Sequence, residues 1–132
     1  MNLILPVTLT AAAAAAFINL WLSIRIGRIR LSTRTVHGDD GGGPLTRRMR
    51  AQLNFVENTP FVLILLAGIE LAGRGGIALA AVAGLYMLGR IAHGFGMDAE
   101  SGGLARMFGT IVTMLTLLAL AGWAVLIALG VL

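Results

Sequence analysis

The chain has 132 residues, of which 58% are hydrophobic and only 12% charged, and its formal net charge is +4. Soluble domains carry about 25% charged residues, so this balance excludes an ordinary soluble protein and indicates a membrane protein. Cysteine is absent, which excludes a disulfide framework, a cysteine metal site and a thiol nucleophile supplied by the protein itself.

All ten basic residues are arginine, and seven of them lie between residues 25 and 50. Basic clusters occur in nucleic-acid-binding proteins, but this one lies between two apolar segments. The chain also has neither a soluble domain nor an aromatic platform, so we expect no nucleic-acid partner. The cluster instead predicts a topology signal and an anion site.

Four apolar segments follow one another along the chain, but the two middle ones are too short to cross a membrane alone. Residues 61–72 and 77–89 fall well below the ~20 residues that a membrane-spanning helix needs. They become long enough only with their polar ends, which should face a bundle interior or a wet cavity. We therefore predict one domain over residues 1–132, an all-α four-helix transmembrane bundle. Its predicted spans are about 3–26, 47–72, 77–97 and 106–131.

The polar ends of spans two, three and four lie on the same side of the predicted bundle. Arginine is enriched in cytoplasmic loops, so loop 27–50 is predicted to be cytoplasmic together with loop 96–105, with both termini outside. Three polar ends at one depth predict a pocket that opens to the cytosol. Membrane lipids are expected around the rest of the bundle.

The second span begins with a regularly spaced set of polar residues. Arg47, Arg50, Asn54 and Glu57 follow at i, i+3, i+7 and i+10, so a helix places them within one arc. Pro60 then predicts a bend. Arginine clamps carboxylates, and a carboxylate or amide receives an ammonium group, so the set suits an anionic ligand that carries an amino group.

Spans three and four add polar residues on single faces. Arg90 and His93 are spaced i, i+3, and Arg106, Thr110 and Thr113 are spaced i, i+4, i+7. Spacing alone leaves open a purely structural network, in which Arg90 or Arg25 neutralises Glu57 and His93 is a packed histidine rather than a base. Other charged residues are interpreted as interfacial, headgroup or topology contacts: Glu70, Arg25, Arg28, Arg34 and Arg48.

Four of these motifs, in order, resemble the MAPEG family, the membrane-associated proteins of eicosanoid and glutathione metabolism. In chain order they are "GRIRL" (27–31) in span one, Arg50-x-x-x-Asn54-x-x-Glu57-x-x-Pro60 in span two, "GRIAHGFG" (89–96) in span three, and Arg106 in span four. The resemblance covers nearly the whole chain and is closest to a compact bacterial-type member, which implies a bacterial inner membrane.

The resemblance implies a homotrimer of four-helix subunits that binds glutathione, as a co-substrate, between neighbouring subunits near the cytosolic face. Arg106 is then the residue beside the glutathione thiol, which it activates by favouring the thiolate, and Thr110 donates a hydrogen bond to the sulfur. The implied glutathione contacts are Arg30, Arg50, Asn54, Glu57, Arg90 and His93.

The sequence departs from the prostaglandin E synthase branch of that family at several pocket positions. Leu53 stands where that branch has a second arginine, Met97 and Thr110 where it has tyrosines, and Met107 where it has a serine. These differences argue against an eicosanoid-specific enzyme. They favour a glutathione transferase or peroxidase that acts on apolar electrophiles or lipid hydroperoxides, which would enter from the bilayer between spans one and four.

Two other classes of protein compete with the enzyme. The lost tyrosines leave open a non-catalytic ligand-binding or scaffold protein on the same fold, which would bind glutathione without activating it. A small four-span multidrug exporter is disfavoured, because such transporters use a carboxylate in the first span and this first span has none.

Overall fold

Four helices account for most of the chain in a computed structural model, which describes residues 4–132. They are α1 (Pro6–Thr33), α2 (Pro44–Ile69), α3 (Ile77–Gly96) and α4 (Leu104–Ala128), and a π-helical turn, Glu70–Arg74, extends α2. No strand occurs in this part of the chain, and all four helices are long and apolar enough to cross a membrane. The predicted all-α, four-helix membrane fold is confirmed.

The helix ends differ from the predicted spans because helices continue beyond the apolar layer. Helix α1 runs to Thr33 rather than stopping near residue 26, and α2 begins at Pro44, in the first turn, where proline is well tolerated. The prediction that span one starts at residue 3 falls outside the described residues. The bend predicted at Pro60 does not end α2, which stays helical through it.

Each helix packs against two main neighbours. Helix α1 packs on α2 and α3, and α4 packs on α3 and α2, so α1 and α4 occupy opposite corners of the bundle. The core between them contains fully buried Val62, Leu66, Leu79 and Leu120. Entry of a substrate between spans one and four stays a prediction.

Glycines bring α3 and α4 into backbone contact. A Cβ atom added at Gly109 would lie 2.5 Å from the Gly89 carbonyl oxygen and 2.5 Å from the His93 Cβ. One added at Gly96 would lie 2.2 Å from the Arg106 backbone nitrogen. Because glycine has no side chain, α3 and α4 approach each other closely here, and this contact sets the position of Arg106 along the bundle axis relative to His93.

At the opposite end of the bundle, Glu70 caps α1 across the helix interface. Its carboxylate accepts hydrogen bonds from the backbone N–H groups of Val7 (2.9 Å) and Thr8 (2.8 Å) and from the Thr8 hydroxyl (2.7 Å). A carboxylate at a helix N-terminus satisfies unpaired N–H groups and complements the helix dipole. Glu70 is buried and has a structural role as a helix cap, and its interfacial position stays a prediction.

Asp40 organises the loop that leads into α2. Its carboxylate accepts hydrogen bonds from the backbone N–H groups of Leu45 and Thr46, both at 2.8 Å, and from the Thr46 hydroxyl at 2.7 Å. Desolvation opposes ionisation, but these hydrogen bonds outweigh it and lower the pKa of Asp40 from 3.8 to about 2. The Asp40 carboxylate is therefore ionised when the loop is ordered.

This depressed pKa predicts an acid-sensitive loop. The stabilising contribution of the ionised Asp40 carboxylate is fully present above pH 3.8, the ordinary pKa of this group. It disappears as the pH falls through about 2. We expect the Leu45 and Thr46 amide signals to titrate together, with a midpoint near pH 2, in nuclear magnetic resonance spectra. Asp40→Asn should abolish this titration, whereas Asp39→Asn should leave it. A midpoint near 3.8 would contradict the assigned hydrogen bonds.

Candidate functional site

A hollow of about 390 Å³ lies between α2, α3 and α4 near the arginine-rich end of the bundle, and we call it the polar hollow. This volume falls within the roughly 300–1,000 Å³ typical of small-molecule sites. Helix α2 contributes one face, because its lining residues are spaced i, i+3, i+4 and i+7. The lining residues are Arg50, Leu53, Asn54, Glu57, His93, Met97, Arg106 and Thr110.

The hollow gathers most of the residues that the sequence singled out. Six of them line it together, although they come from three helices separated by up to 60 positions in the chain (50 to 110). The six are Arg50, Asn54, Glu57, His93, Arg106 and Thr110. Arg30 and Arg90 do not line it.

Arg30 lies in a neighbouring hollow of about 560 Å³ on the other side of α2. Its guanidinium donates to the carbonyl oxygens of Gly38 (2.9 Å) and Thr35 (3.3 Å), and so braces the loop after α1. The two hollows share Arg50 and Leu53, which form a ridge between them. Within one chain, Arg30 therefore shares a hollow with Arg50 but not with Asn54, Glu57 and His93.

Arg90 lies behind the hollow and orients His93. It is 1% exposed, donates to the Thr113 hydroxyl at 2.9 Å, and holds Nη2 3.4 Å from His93 Nδ1. A guanidinium has no acceptor, so Nδ1 must be the accepting nitrogen and the ring proton lies on Nε2. His93, which lines the hollow, is thus a hydrogen-bond donor rather than a base in this arrangement.

The charged groups in the hollow lack protein partners. Within residues 4–132, the side chains of Arg50, Glu57 and Arg106 make neither a hydrogen bond nor an ion pair, and the only ion pairs join Asp98 to Arg25 and Arg48. The structural alternative, in which Arg90 or Arg25 neutralises Glu57, is therefore not the arrangement observed. The unused donors and acceptors point into one cavity.

Thr110 occupies the pocket wall with its hydroxyl already engaged. Thr110 Oγ1 donates to the Arg106 carbonyl oxygen, one helical turn earlier, at 3.0 Å. A hydrogen bond from Thr110 to a sulfur would require the hydroxyl to leave that carbonyl. Its assignment as a donor to sulfur stays a prediction.

Arg25, Arg48 and Asp98 form an ionic cluster that the sequence interpretation missed. Arg25 is buried and Arg48 half-buried, and both contact the Asp98 carboxylate. Their interpretation as headgroup contacts or topology determinants stays a prediction. Asp98 lies in loop 96–105. The signal was the position of an acid just after span three, but its partners lie 50 and 73 residues away, beyond any local pattern.

Comparison with known proteins gives one finding. The sequence model of the MAPEG family matches residues 8–126, which is nearly the whole chain. A search of the curated proteins finds no match. The matched range contains every residue that lines the hollow.

Proposed function

Because the chain belongs to the MAPEG family, we propose that it binds glutathione and uses it as a transferase or peroxidase toward apolar electrophiles or lipid hydroperoxides. The chain is a multi-pass membrane protein with four candidate spans, in a family whose members are generally related to glutathione. The proposed substrates dissolve in lipid, where an integral membrane enzyme meets them.

Glu57 carries this proposal. It lies 13 residues into α2, about 20 Å along the helix axis, and is exposed in the single chain without a cationic partner among the described residues. A bare carboxylate within a membrane span is costly in lipid, so ionisable residues in spans face cavities or ligands. An ammonium group of a ligand would supply the missing counter-charge.

The chemistry of glutathione matches the rest of the hollow. The tripeptide carries two carboxylates, one ammonium group and one thiol. Arg50 and Arg106 offer guanidinium groups for carboxylate or thiolate, His93 offers an N–H donor, and Asn54 lies beside Glu57 to share the ammonium. The protein has no cysteine, so the reacting sulfur comes with the ligand.

Arg106 is the proposed activator of that sulfur. A guanidinium in a partly desolvated site favours the thiolate over the thiol, and the thiolate is the nucleophile. In transfer, the sulfur attacks the electrophilic carbon, a C–S bond forms, and the leaving group departs with the electron pair. With a hydroperoxide, two glutathione molecules are oxidised to the disulfide, and the O–O bond is reduced to an alcohol and water.

The apolar substrate is proposed to approach from the lipid side of Arg106. A third hollow of about 260 Å³ shares Arg106 and Thr110 with the hollow between α2, α3 and α4 and is flanked by the exposed side chains of Met107 and Ile111. An electrophile held there would meet a sulfur beside Arg106. Proximity of this kind supplies much of the rate enhancement when two reactants are held together.

A homotrimer is part of the proposal because one chain leaves the site incomplete. Arg30 lies across the Arg50–Leu53 ridge from the polar hollow, and α1 and α4 occupy opposite corners of the bundle. Neighbouring subunits would bring Arg30 into a site between chains and would create a lateral passage between α1 and α4. We further propose an inner-membrane location with the polar hollow open to the cytoplasm.

A non-catalytic ligand-binding protein is the second candidate, and Thr110 favours it. Its hydroxyl is bonded to the Arg106 carbonyl, and Met97 brings a thioether to the pocket wall. Arg106 alone would then have to stabilise the thiolate. This candidate predicts glutathione binding without formation of a thiolate.

Titration calorimetry with glutathione on the detergent-solubilised protein tests the proposed ligand. We expect the parent to bind, and Glu57→Gln and Arg50→Gln each to weaken binding by about tenfold, as expected for a lost charge-assisted hydrogen bond. Arg74→Gln is the matched control, because Arg74 is exposed at the opposite end of the bundle. Absence of binding by the parent would overturn the glutathione assignment.

A further inference from the structure

Asp98 bridges two arginines from different helices at the end of α3. One carboxylate oxygen, Oδ2, bonds to Nη2 of Arg25 on α1, and the other, Oδ1, lies 3.1 Å from Nε of Arg48 on α2. Nη1 of Arg48 also donates to the Arg25 carbonyl oxygen at 3.1 Å. We call these three residues the Asp98 clamp. The clamp joins α1 and α2 to the end of α3.

Arg25 fits closely into this end of the bundle. It is 8% exposed, and its guanidinium lies 4.6 Å from the Trp21 ring centroid and 5.5 Å from that of Phe95. Its Nη1 donates to the Gly94 carbonyl oxygen at 2.9 Å, which satisfies a carbonyl in the last turn of α3. Asp98 supplies a counter-charge for this buried guanidinium.

The clamp is mechanically linked to Arg106. Asp98 follows Met97, which lines the polar hollow, and Gly96 lies against the backbone of Arg106 so closely that a Cβ atom there would be 2.2 Å from its nitrogen. Only residues 97–103 separate the two helices. A displacement of the end of α3 would therefore move the first turn of α4.

We propose that the Asp98 clamp positions Arg106, and thereby sets how strongly the guanidinium stabilises the thiolate. Asp98, Arg25 and Arg48 are positioning residues, because none of them lines the hollow. The effect on the thiolate rests on the proposed function, whereas the effect on the placement of α4 does not. The proposed function and the positioning role of the clamp can therefore be tested separately.

The first measurement follows the glutathione thiolate. Asp98→Asn should lower the thiolate fraction of bound glutathione at neutral pH by about tenfold, seen as lost ultraviolet absorbance at saturating glutathione and well below the unfolding temperature. Asp98→Glu keeps the carboxylate and should restore part of the signal. Glu100→Gln, an exposed acid in the same loop, is the matched control and should match the parent. An unchanged thiolate fraction in folded Asp98→Asn would overturn the proposal.

The second measurement is independent of glutathione. Because the chain has no cysteine, Leu104→Cys gives a single spin-labelling site at the start of α4, where Leu104 is exposed. The mobility of the label should rise in Asp98→Asn and stay unchanged in Glu100→Gln. An unchanged label would overturn the proposal even if the thiolate were lost. If the parent formed no thiolate, the proposed enzyme would fail and the label alone would decide the positioning role.

Arg48→Gln provides a milder test if Asp98→Asn does not fold. It removes the partially exposed partner and leaves the part-buried contact between Arg25 and Asp98 in place. The same two changes are expected with smaller amplitude. A folded Arg48→Gln variant with the label mobility and thiolate fraction of the parent would count against the clamp.

Discussion

Replacing Arg106 by glutamine is expected to lower transferase turnover by about 100-fold, while glutathione still binds. Removal of one group that stabilises developing or bound negative charge commonly costs about 10²–10³ in rate. Other contacts in the hollow, from Arg50, Asn54 and Glu57, would still hold the peptide part of the ligand. The ultraviolet thiolate signal should disappear in parallel with turnover, and calorimetry should show retained binding.

The Arg106→Lys variant tests whether the positive charge is sufficient or whether the shape of the guanidinium group is also needed. A lysine keeps the positive charge but lacks the planar fork of guanidinium, so we expect partial thiolate formation and intermediate turnover. A parent that binds glutathione but shows neither thiolate nor turnover would support the non-catalytic candidate. Full turnover in Arg106→Gln would remove Arg106 from the chemistry.

Gly109→Ala is expected to destabilise the bundle by about 1–3 kcal/mol, the range typical of overpacking a tight contact. The new methyl group would meet the Gly89 carbonyl oxygen and the His93 Cβ, both at 2.5 Å, so α3 and α4 would have to separate. That separation would also displace His93 from Arg106. We therefore expect lower thermal stability in detergent together with weaker glutathione binding.

Gly122 provides the matched control on the same helix. A Cβ atom added there has no heavy atom within 4 Å, so Gly122→Ala should leave both stability and binding near those of the parent. If the two alanine variants behaved alike, the close contact between α3 and α4 would not be what makes Gly109 necessary. Equal loss in both would instead indicate a shared requirement for glycine in α4.

The polar hollow could be predicted because one of its walls is formed by residues that lie close together in the sequence. Arg50, Asn54 and Glu57 share one face of one helix, and helical periodicity alone places them together. Adding His93 and Arg106 depended on the polar ends of three spans lying on the same side of the bundle, and their roles toward glutathione came from the family resemblance.

Contacts set by the rotation and height of neighbouring helices could not be predicted. Glu70 finds its N–H partners at Val7 and Thr8, 63 and 62 residues away, and no local motif distinguishes it from an interfacial acid. Gly109 looks like any other small residue in an apolar helix until α3 is placed against it. Such pairings depend on tertiary geometry rather than on residue type.

The two carboxylates that contact α1 together determine its register. Apolar residues are spread almost evenly around α1, so hydrophobicity alone gives this helix little reason to prefer one rotation over another. Glu70 fixes its first turn at Thr8, and Asp98 fixes Arg25, 17 residues later in α1 (25 minus 8). A slip of one residue would rotate the helix by about 100° and shift it by about 1.5 Å, breaking both attachments at once. The rotation of helix α1 is therefore set by polar contacts along its length rather than by its nearly uniform apolar surface.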